Sequence, residues 1–161
     1  MPSPRLEAER IALLIALYEP EIPANAGAIA RICAATGTPL HLIGRLGFSF
    51  RHPDARRSAM DYWERVRLSR HITWMDFREA IGSRPVWAFT TKAERTIWDV
   101  RFEDGDALLF GPESRGLPEG LLDPDLVTPI RIPMTTDTRS LNLATAVGVG
   151  LYEALRQTGW R

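Results

Sequence analysis

Apolar residues along the chain fall into short continuous runs, and these alternate with segments of helical periodicity. The runs that predict strands are Ile11–Tyr18, Leu40–Ile43, Val66–Leu68, Val86–Thr90, Ala107–Phe110 and Val127–Ile132. A strand that is apolar throughout is typical of a parallel sheet with both faces buried. The pattern therefore predicts an α/β fold, in which a mostly parallel sheet carries helices on both faces.

Three segments between or after these runs carry helical signals. Asn25 is predicted to be the N-cap of a helix that runs to about Thr36. Trp74–Ile81 predicts a second helix, and a long closing helix runs from Asn142 to about Thr158. The core-facing side of the closing helix is predicted to consist of Leu143, Val147, Leu151, Ala154 and Leu155.

Length and composition indicate one globular domain. The chain has 161 residues, of which 45% are hydrophobic and 25% charged. We expect residues 1–10 to be a flexible polar lead-in and residues 11–161 to form the domain. The single cysteine, Cys33, excludes an internal disulfide and a cysteine metal cluster. The apolar run Ile11–Tyr18 is too short to span a bilayer or to serve as a secretory signal, so we expect a cytoplasmic protein without a membrane partner.

The formal net charge is zero, but the charge is unevenly distributed. Seven arginines and three carboxylates between Arg45 and Arg70 give that stretch a net charge of +4. His52, Tyr62 and Trp63 are interleaved with the arginines. Guanidinium groups and aromatic rings suit phosphates and unstacked bases. An arginine-rich solvated surface explains the same pattern, and the sequence leaves both interpretations open.

The loop after Ala107–Phe110 is rich in glycine and proline. In a parallel α/β sheet, ligands bind at the carboxyl ends of the strands, so Gly111–Pro118 is a candidate binding loop. The sequence contains neither Gly-x-Gly-x-x-Gly nor a Gly-Lys-Ser/Thr loop, which argues against a dinucleotide site and a P-loop. Glu113 in such a loop favours a neutral or cationic ligand, a sulfonium for example. The alternative is a structural tight turn.

The closing helix and the first helix contain further candidate functional or packing residues. Ser140 and Asn142 precede the closing helix and are either caps or site residues. Gly148 and Gly150 lie inside that helix and predict that the sheet or a second subunit packs closely against it. Arg31 points away from the buried face of the first helix, one or two turns from the edge of the sheet.

Three segments, in this order along the chain, resemble the motifs of the SPOUT superfamily of methyltransferases. They are NAGAIARICAATG at Asn25–Gly37, LLFGPESRGLP at Leu108–Pro118 and IRIPMTTDTRSLNLATAVGVGLYEA at Ile130–Ala154. The lead-in LYEPEIPANAG narrows the resemblance to the minimal tRNA wobble-position 2′-O-methyltransferases. The resemblance covers nearly the whole chain from Ile11 onward.

The resemblance implies a C-terminal deep trefoil knot, a homodimer, S-adenosylmethionine as the cofactor, no metal, and tRNA as the partner. The expected product is a 2′-O-methylated wobble nucleotide, cytidine 34 or a modified uridine 34. The implied cofactor positions are Phe89, Thr90, Gly111, Ile132, Met134, Ser140 and Leu141. The implied catalytic positions are Asn25, Arg31, Glu113, Ser140 and Asn142, and the implied substrate positions are Arg31, Arg115 and Tyr152.

Two alternatives to this function stay open at the level of sequence. One is 2′-O-methylation of another ribose in tRNA or in ribosomal RNA, because related enzymes share the three motifs. The other is a non-catalytic RNA-binding knot protein, against which the intact Arg31, Glu113, Ser140 and Asn142 argue. A nicotinamide-dependent enzyme is a distant third, because the glycine fingerprint is missing.

Overall fold

The computed structural model describes residues 12–160, and within them one sheet of six strands forms the centre of the protein. The strand order is β3-β2-β1-β5-β4-β6, and all neighbouring strands pair in parallel. The strands are β1 Leu14–Tyr18, β2 Leu40–Ile43, β3 Leu68–His71, β4 Val86–Phe89, β5 Ala107–Phe110 and β6 Thr128–Ile130. The predicted parallel α/β sheet is confirmed.

Helices cover both faces of the sheet, as predicted. They are α1 Pro23–Thr36, α2 Pro53–Ala59, α3 Trp74–Ile81 and α4 Leu143–Gln157, with short 3-10 helices at Tyr62–Glu64 and Glu119–Leu121. Residues of α1 and α4 share one hydrophobic core with one face of the sheet, and α3 packs on the other face. The core face predicted for the closing helix is buried throughout. The C-terminal trefoil knot stays a prediction.

The two cores follow from the alternation of side chains along the central strands. In β1, Ile15 and Leu17 face α1 and α4, whereas Leu14 and Ala16 face the side of α3. Successive side chains of a strand point to opposite faces, so a strand with a core on each side must be apolar at every position. This is why the central strands stand out in the sequence as continuous apolar runs.

The start of α1 differs from the prediction that Asn25 is its N-cap. The helix begins at Pro23, and Ile22 is the N-cap without a side-chain hydrogen bond. Proline is favourable at the first helical position because that N–H has no partner within the helix and the fixed φ suits a helix. Asn25 therefore lies inside the first turn, and its side chain is free for other contacts.

The middle of the chain departs most from the prediction. The strand expected at Val66–Leu68 instead runs over Leu68–His71 at the edge of the sheet, where polar side chains are tolerated and obscure the apolar pattern. The short helix α2 and the 3-10 helices were not predicted. The predicted lead-in, residues 1–10, lies outside the described residues. Within residues 12–160, no helix has the length and apolar character that crossing a membrane would need.

Candidate active site

A cavity at the carboxyl edge of the sheet has a volume of about 450 Å³. We call it the main cavity. Loops after β4, β5 and β6 form it together with the first turns of α1 and α4, because parallel strands all end at the same edge. Its lining includes every cofactor position implied by the sequence: Phe89, Thr90, Gly111, Ile132, Met134, Ser140 and Leu141.

Glycine at position 111 allows the loop after β5 to fold back on itself. A Cβ atom at Gly111 would lie 2.5 Å from the carbonyl carbon of Gly116 and would also clash with the backbone nitrogen of Leu117. Only a residue without a side chain permits so close a backbone approach. The loop thus forms a compact wall of the main cavity.

Two stacked phenylalanine rings form an apolar wall of the main cavity. The ring centroids of Phe89 and Phe110 lie 4.3 Å apart at an interplanar angle of 22°. Helix α4 reaches this pair at Gly150, where a Cβ atom would lie 2.6 Å from Cε1 of Phe89. The close packing predicted from the helix glycines is confirmed at Gly150, and the sheet is the partner. At Gly148 the nearest atom, Cδ1 of Ile32, lies 3.6 Å away.

Glu113 connects the loop after β5 to the start of α1. Its carboxylate oxygens accept hydrogen bonds from the backbone N–H groups of Glu21, at 2.8 Å, and Ile22, at 3.1 Å. These donors lie at a helix N-terminus, where the free N–H groups and the helix dipole favour a negative charge. Both carboxylate oxygens therefore accept hydrogen bonds from the backbone at the start of α1. The sequence suggested that this carboxylate faces a cationic ligand, whereas in the structure it binds the protein backbone.

A chain of side-chain amides joins the N-termini of α1 and α4. Nδ2 of Asn142 donates to Oδ1 of Asn25 at 3.0 Å, and Nδ2 of Asn25 lies 3.4 Å from Oε1 of Glu113. Oδ1 of Asn142 also accepts from the backbone N–H of Thr145, so Asn142 is the N-cap of α4. One network in the lining of the main cavity thus joins three of the implied catalytic positions, Asn25, Glu113 and Asn142, which are far apart in the sequence.

Further polar contacts hold the loop after β5 against the segment before α1. Oγ of Ser114 donates to Oε1 of Glu21 at 2.6 Å, and this bond with the backbone bond from Ser114 lowers the pKa of Glu21. Nη2 of Arg115 lies 2.8 Å from Oε2 of Glu19. The predicted substrate residue Arg115 lines the main cavity, but its charge is paired with a carboxylate.

Two substrate positions implied by the sequence lie outside the lining of the main cavity. Arg31 is exposed on α1, and its guanidinium carbon lies 5.5 Å from the centroid of the Tyr62 ring. Tyr152 is exposed on α4. Sequence reasoning missed Lys92, which does line the cavity and follows the end of β4. Its position just after a strand end was the signal that pointed to it.

The histidines and the cysteine lie away from the main cavity. His41 and His71 stack with an interplanar angle of 1°, and Nδ1 of His41 lies 2.9 Å from Nε2 of His71. Burial, with the neighbouring His71 and Arg84, lowers the pKa of His41 to about 4. Burial raises the pKa of Cys33 to about 12. Among residues 12–160, no group of three or more His, Cys, Asp or Glu side chains is placed to hold a metal ion.

Comparison with known proteins places this geometry in a family. The sequence pattern of the SpoU rRNA Methylase family matches residues 12–152. The tRNA (cytidine(34)-2′-O)-methyltransferase of Escherichia coli (strain K12) is 47% identical over 149 residues, which cover 92% of this chain and 95% of that protein. The enzyme of the same name from Methylovorus glucosotrophus (strain SIP3-4) is 44% identical, over 89% of this chain and 94% of its own.

Solved structures show the same fold. A structure that gives insights into the 2-OH methylation of C/U34 on tRNA superposes with a TM-score of 0.88 at 49% identity, covering 93% of this chain and 98% of its own. The SpoU methyltransferase AviRb from Streptomyces viridochromogenes, in complex with the cofactor AdoMet, has a TM-score of 0.79 at 27% identity, covering 98% of this chain and 66% of its own. The chain therefore belongs to the SpoU methylase family of SPOUT-fold methyltransferases.

Proposed function

We propose that this protein transfers a methyl group from S-adenosylmethionine to the ribose 2′-hydroxyl of the wobble nucleotide, cytidine 34 or a modified uridine 34, of tRNA. The observation that carries the proposal is the convergence of three distant chain segments on one cavity, which all seven cofactor positions line. Relatives that share 44–47% of their residues over almost their full length are named for this reaction. AviRb, which has the same fold, is described with AdoMet bound.

The main cavity fits the proposed cofactor in size and chemistry. Its volume of about 450 Å³ lies within the range of about 300–1,000 Å³ that is usual for small-molecule sites. Phe89, Ile132 and Leu141 offer apolar surface for an adenine ring, and the folded loop at Gly111 offers backbone groups for its polar edges. When bound, S-adenosylmethionine supplies an electrophilic methyl group on a sulfonium.

The polar network beside the cavity would position the reacting groups. A ribose 2′-hydroxyl is a weak nucleophile, so the protein must hold its oxygen in line with the methyl group. Asn25, Glu113 and Asn142 fix the N-termini of α1 and α4 relative to the loop after β5. Ser140 lines the cavity beside them and is exposed, so its hydroxyl is available to the RNA.

Arg31 is proposed to act on the RNA and not on the cofactor. A guanidinium stays protonated, so it cannot accept the proton of the hydroxyl. It can stabilise a phosphate or the developing negative charge on the ribose oxygen. Its exposure and its place outside the cavity lining support a contact with RNA. Tyr152 is proposed to serve the substrate or subunit surface, for the same reason.

The test is transfer of labelled methyl from S-adenosylmethionine to tRNA, followed by nuclease mapping of the label. Label at the 2′-oxygen of nucleotide 34 is the expected result. Label at another ribose would show that the enzyme methylates a different nucleotide. We expect Arg31→Ala to lower transfer at saturating tRNA by about 10²-fold, the usual effect of losing one charge-stabilising donor. Cofactor affinity should not change. Arg101→Ala, an exposed arginine in another segment, is the matched control.

Two further proposals concern the state of the protein. We expect a homodimer, which sedimentation velocity of the purified protein would detect as a species of about twice the chain mass of 18.1 kDa. The cytoplasm is the expected location, because it contains the tRNA. Methylation of ribosomal RNA has less support than methylation of the wobble nucleotide, since the rRNA methyltransferase structure from Sinorhizobium meliloti shares only 26% identity with this chain, against 47% for the tRNA enzyme of Escherichia coli. Transfer to any RNA would exclude the non-catalytic alternative.

A further inference from the structure

A second cavity lies outside the main cavity, beside the edge strand β3, and has a volume of about 350 Å³. We call it the β3 cavity. Phe50 from the loop after β2, Trp63 from the 3-10 helix and Leu68 of β3 supply apolar surface, and Met60 adds a side chain that is 56% exposed. Apolar surface of this kind, open at the edge of a sheet and surrounded by charge, is typical of a binding site.

The aromatic walls of the β3 cavity are held in place by the surrounding structure. The rings of Phe50 and Trp63 lie 4.9 Å apart at an angle of 76°. Nε1 of Trp63 donates to the backbone oxygen of Ala55 at 3.2 Å, which fixes the indole against α2. Because these side chains are already ordered, little side-chain entropy is lost when a ligand stacks on them.

The charges around the β3 cavity suit a nucleotide. Arg56 lines it, and the guanidinium carbon of Arg70 lies 5.6 Å from the centroid of Phe50. Among the ion pairs of the described chain, neither arginine has a carboxylate partner, whereas Arg57 is paired with Asp54. Free exposed arginines are suited to bind phosphates of a nucleic acid strand.

Two carboxylates inside the β3 cavity decide which part of a nucleotide would enter it. Asp61 and Glu64 belong to the lining and would repel a phosphate. Carboxylates accept hydrogen bonds from the amino groups of bases, and aromatic rings stack on the faces of bases. The interior thus suits a base, and Arg56 and Arg70 suit the flanking phosphates.

The β3 cavity is connected to the main cavity through α1. The backbone N–H of Gly47, in the loop that leads to Phe50, donates to the oxygen of Pro20 at 2.9 Å. Helix α2 crosses α1 at Gly27, where a Cβ atom would lie 2.7 Å from Cβ of Ser58. Asn25, which lines the main cavity, lies two residues before this crossing. These contacts tie the elements around the β3 cavity to the first turn of α1, which lines the main cavity.

We propose that the β3 cavity binds one unpaired base of the substrate RNA, stacked on the face of Trp63 with the nearly perpendicular Phe50 ring against its edge, and with its neighbouring phosphates on Arg56 and Arg70. The base lies apart from the nucleotide that receives the methyl group. The inference rests on the proposed function for the identity of the RNA. Zero net charge gives the chain little general attraction for nucleic acid, so a local basic and aromatic site must supply much of the affinity.

The first experiment measures tRNA affinity by filter binding over a range of salt concentrations. Arg56→Glu and Arg70→Glu change exposed side chains outside the main cavity, so both variants should fold and keep the cofactor affinity of the wild type. We expect each to weaken tRNA binding at least tenfold, and to reduce the slope of log K against log salt by about 1. Arg101→Glu has the same charge change near the C-terminal end of α4 and should bind within twofold of the wild type.

The second experiment tests base stacking directly. Trp63→Phe keeps an aromatic face and should retain affinity, whereas Trp63→Leu should lose at least fivefold. Photo-crosslinking of tRNA that contains 4-thiouridine should label a peptide between Arg45 and Arg70. The proposal is wrong if Arg56→Glu and Arg70→Glu bind tRNA as well as Arg101→Glu does. It is also wrong if these variants lose self-association while each subunit keeps its RNA affinity, because the surface would then join subunits.

The two proposals fail in different ways. Wild-type protein that binds tRNA through this surface without methyl transfer would refute the proposed function and leave the base site standing. Normal methyl transfer by wild type, together with unchanged tRNA affinity in both charge-reversal variants, would refute the base site alone.

Discussion

The contact between α4 and the Phe89 ring provides a test of how the helix supports the main cavity. Gly150→Ala adds a Cβ atom 2.6 Å from Cε1 and 2.7 Å from Cζ of Phe89. The ring cannot retreat toward Phe110, because the two rings are already stacked at 4.3 Å and the new atom would also lie 3.4 Å from Cζ of Phe110. The ring must therefore move toward the main cavity, which Phe89 lines.

Gly148→Ala is the matched control because the same helix receives the same methyl group at 3.6 Å from Cδ1 of Ile32. Replacing glycine by alanine inside a helix gains about 1 kcal/mol in both variants, so the gain cancels when they are compared. Overpacking a core contact costs about 1–3 kcal/mol, and only Gly150→Ala bears that cost. For a chain of this length, the difference corresponds to a lower midpoint for Gly150→Ala by about 2–12 °C.

The assay is thermal unfolding of both variants without ligand, followed by titration with S-adenosylmethionine. We expect Gly148→Ala to melt at or above the wild-type temperature and to bind the cofactor normally. Gly150→Ala should melt below Gly148→Ala and bind the cofactor more weakly, because the displaced Phe89 ring narrows the cavity. Equal midpoints and equal affinities for the two variants would refute the reasoning, since Phe89 would then accommodate the methyl group without cost.

Three other outcomes are expected. Glu113→Gln should lower the free energy of unfolding by about 1–3 kcal/mol in urea titrations, because a charged acceptor is lost at the N-terminus of α1; unchanged stability would refute that role. The folded-state pKa of His41, about 4, lies below its ordinary value near 6.5, so stability should fall as the pH is lowered from 6.5 toward 4. His41→Phe should flatten this dependence, and an unaltered slope would contradict the assignment. Cys33, with a pKa of about 12 and no exposure, should react with a thiol reagent only after unfolding; rapid reaction of the native protein would contradict its burial.

The sequence by itself determined the class of fold and the positions of its central elements. Strands β1 and β5 are buried on both faces of the sheet, so almost every position in them is apolar. Such a continuous apolar run can be recognised from the sequence of the strand alone. Asn142 was one of two candidate caps of the closing helix, and the structure shows that it is the N-cap; such candidates can be found in a sequence because capping is a local interaction between residues three apart. The ordered motifs located the cavity lining in advance, through resemblance to a known family.

The edge of the sheet and the short helices were not determined in this way. Strand β3 has one neighbouring strand and exposed side chains, and α2 has only seven residues, two of them arginines. Neither segment therefore shows a clear periodicity of hydrophobic residues. Both are stabilised by contacts with elements that are distant in the sequence. Local propensity is weak for such short segments, and tertiary packing decides their structure.

Only the tertiary structure decided what the polar residues of the site contact. From the sequence, Asn25 was predicted to cap a helix and Glu113 to face a cationic ligand. Both predictions were based only on the residues next to each position in the sequence. In the fold, Glu113 accepts from the start of α1 about 90 residues away, and Asn25 bonds to Asn142. Contacts between such distant residues depend on strand order and loop packing, which hydrophobic patterning does not encode. The same holds for Arg31, whose helix face was predictable but whose position against Tyr62 depends on the packing of the segment around α2.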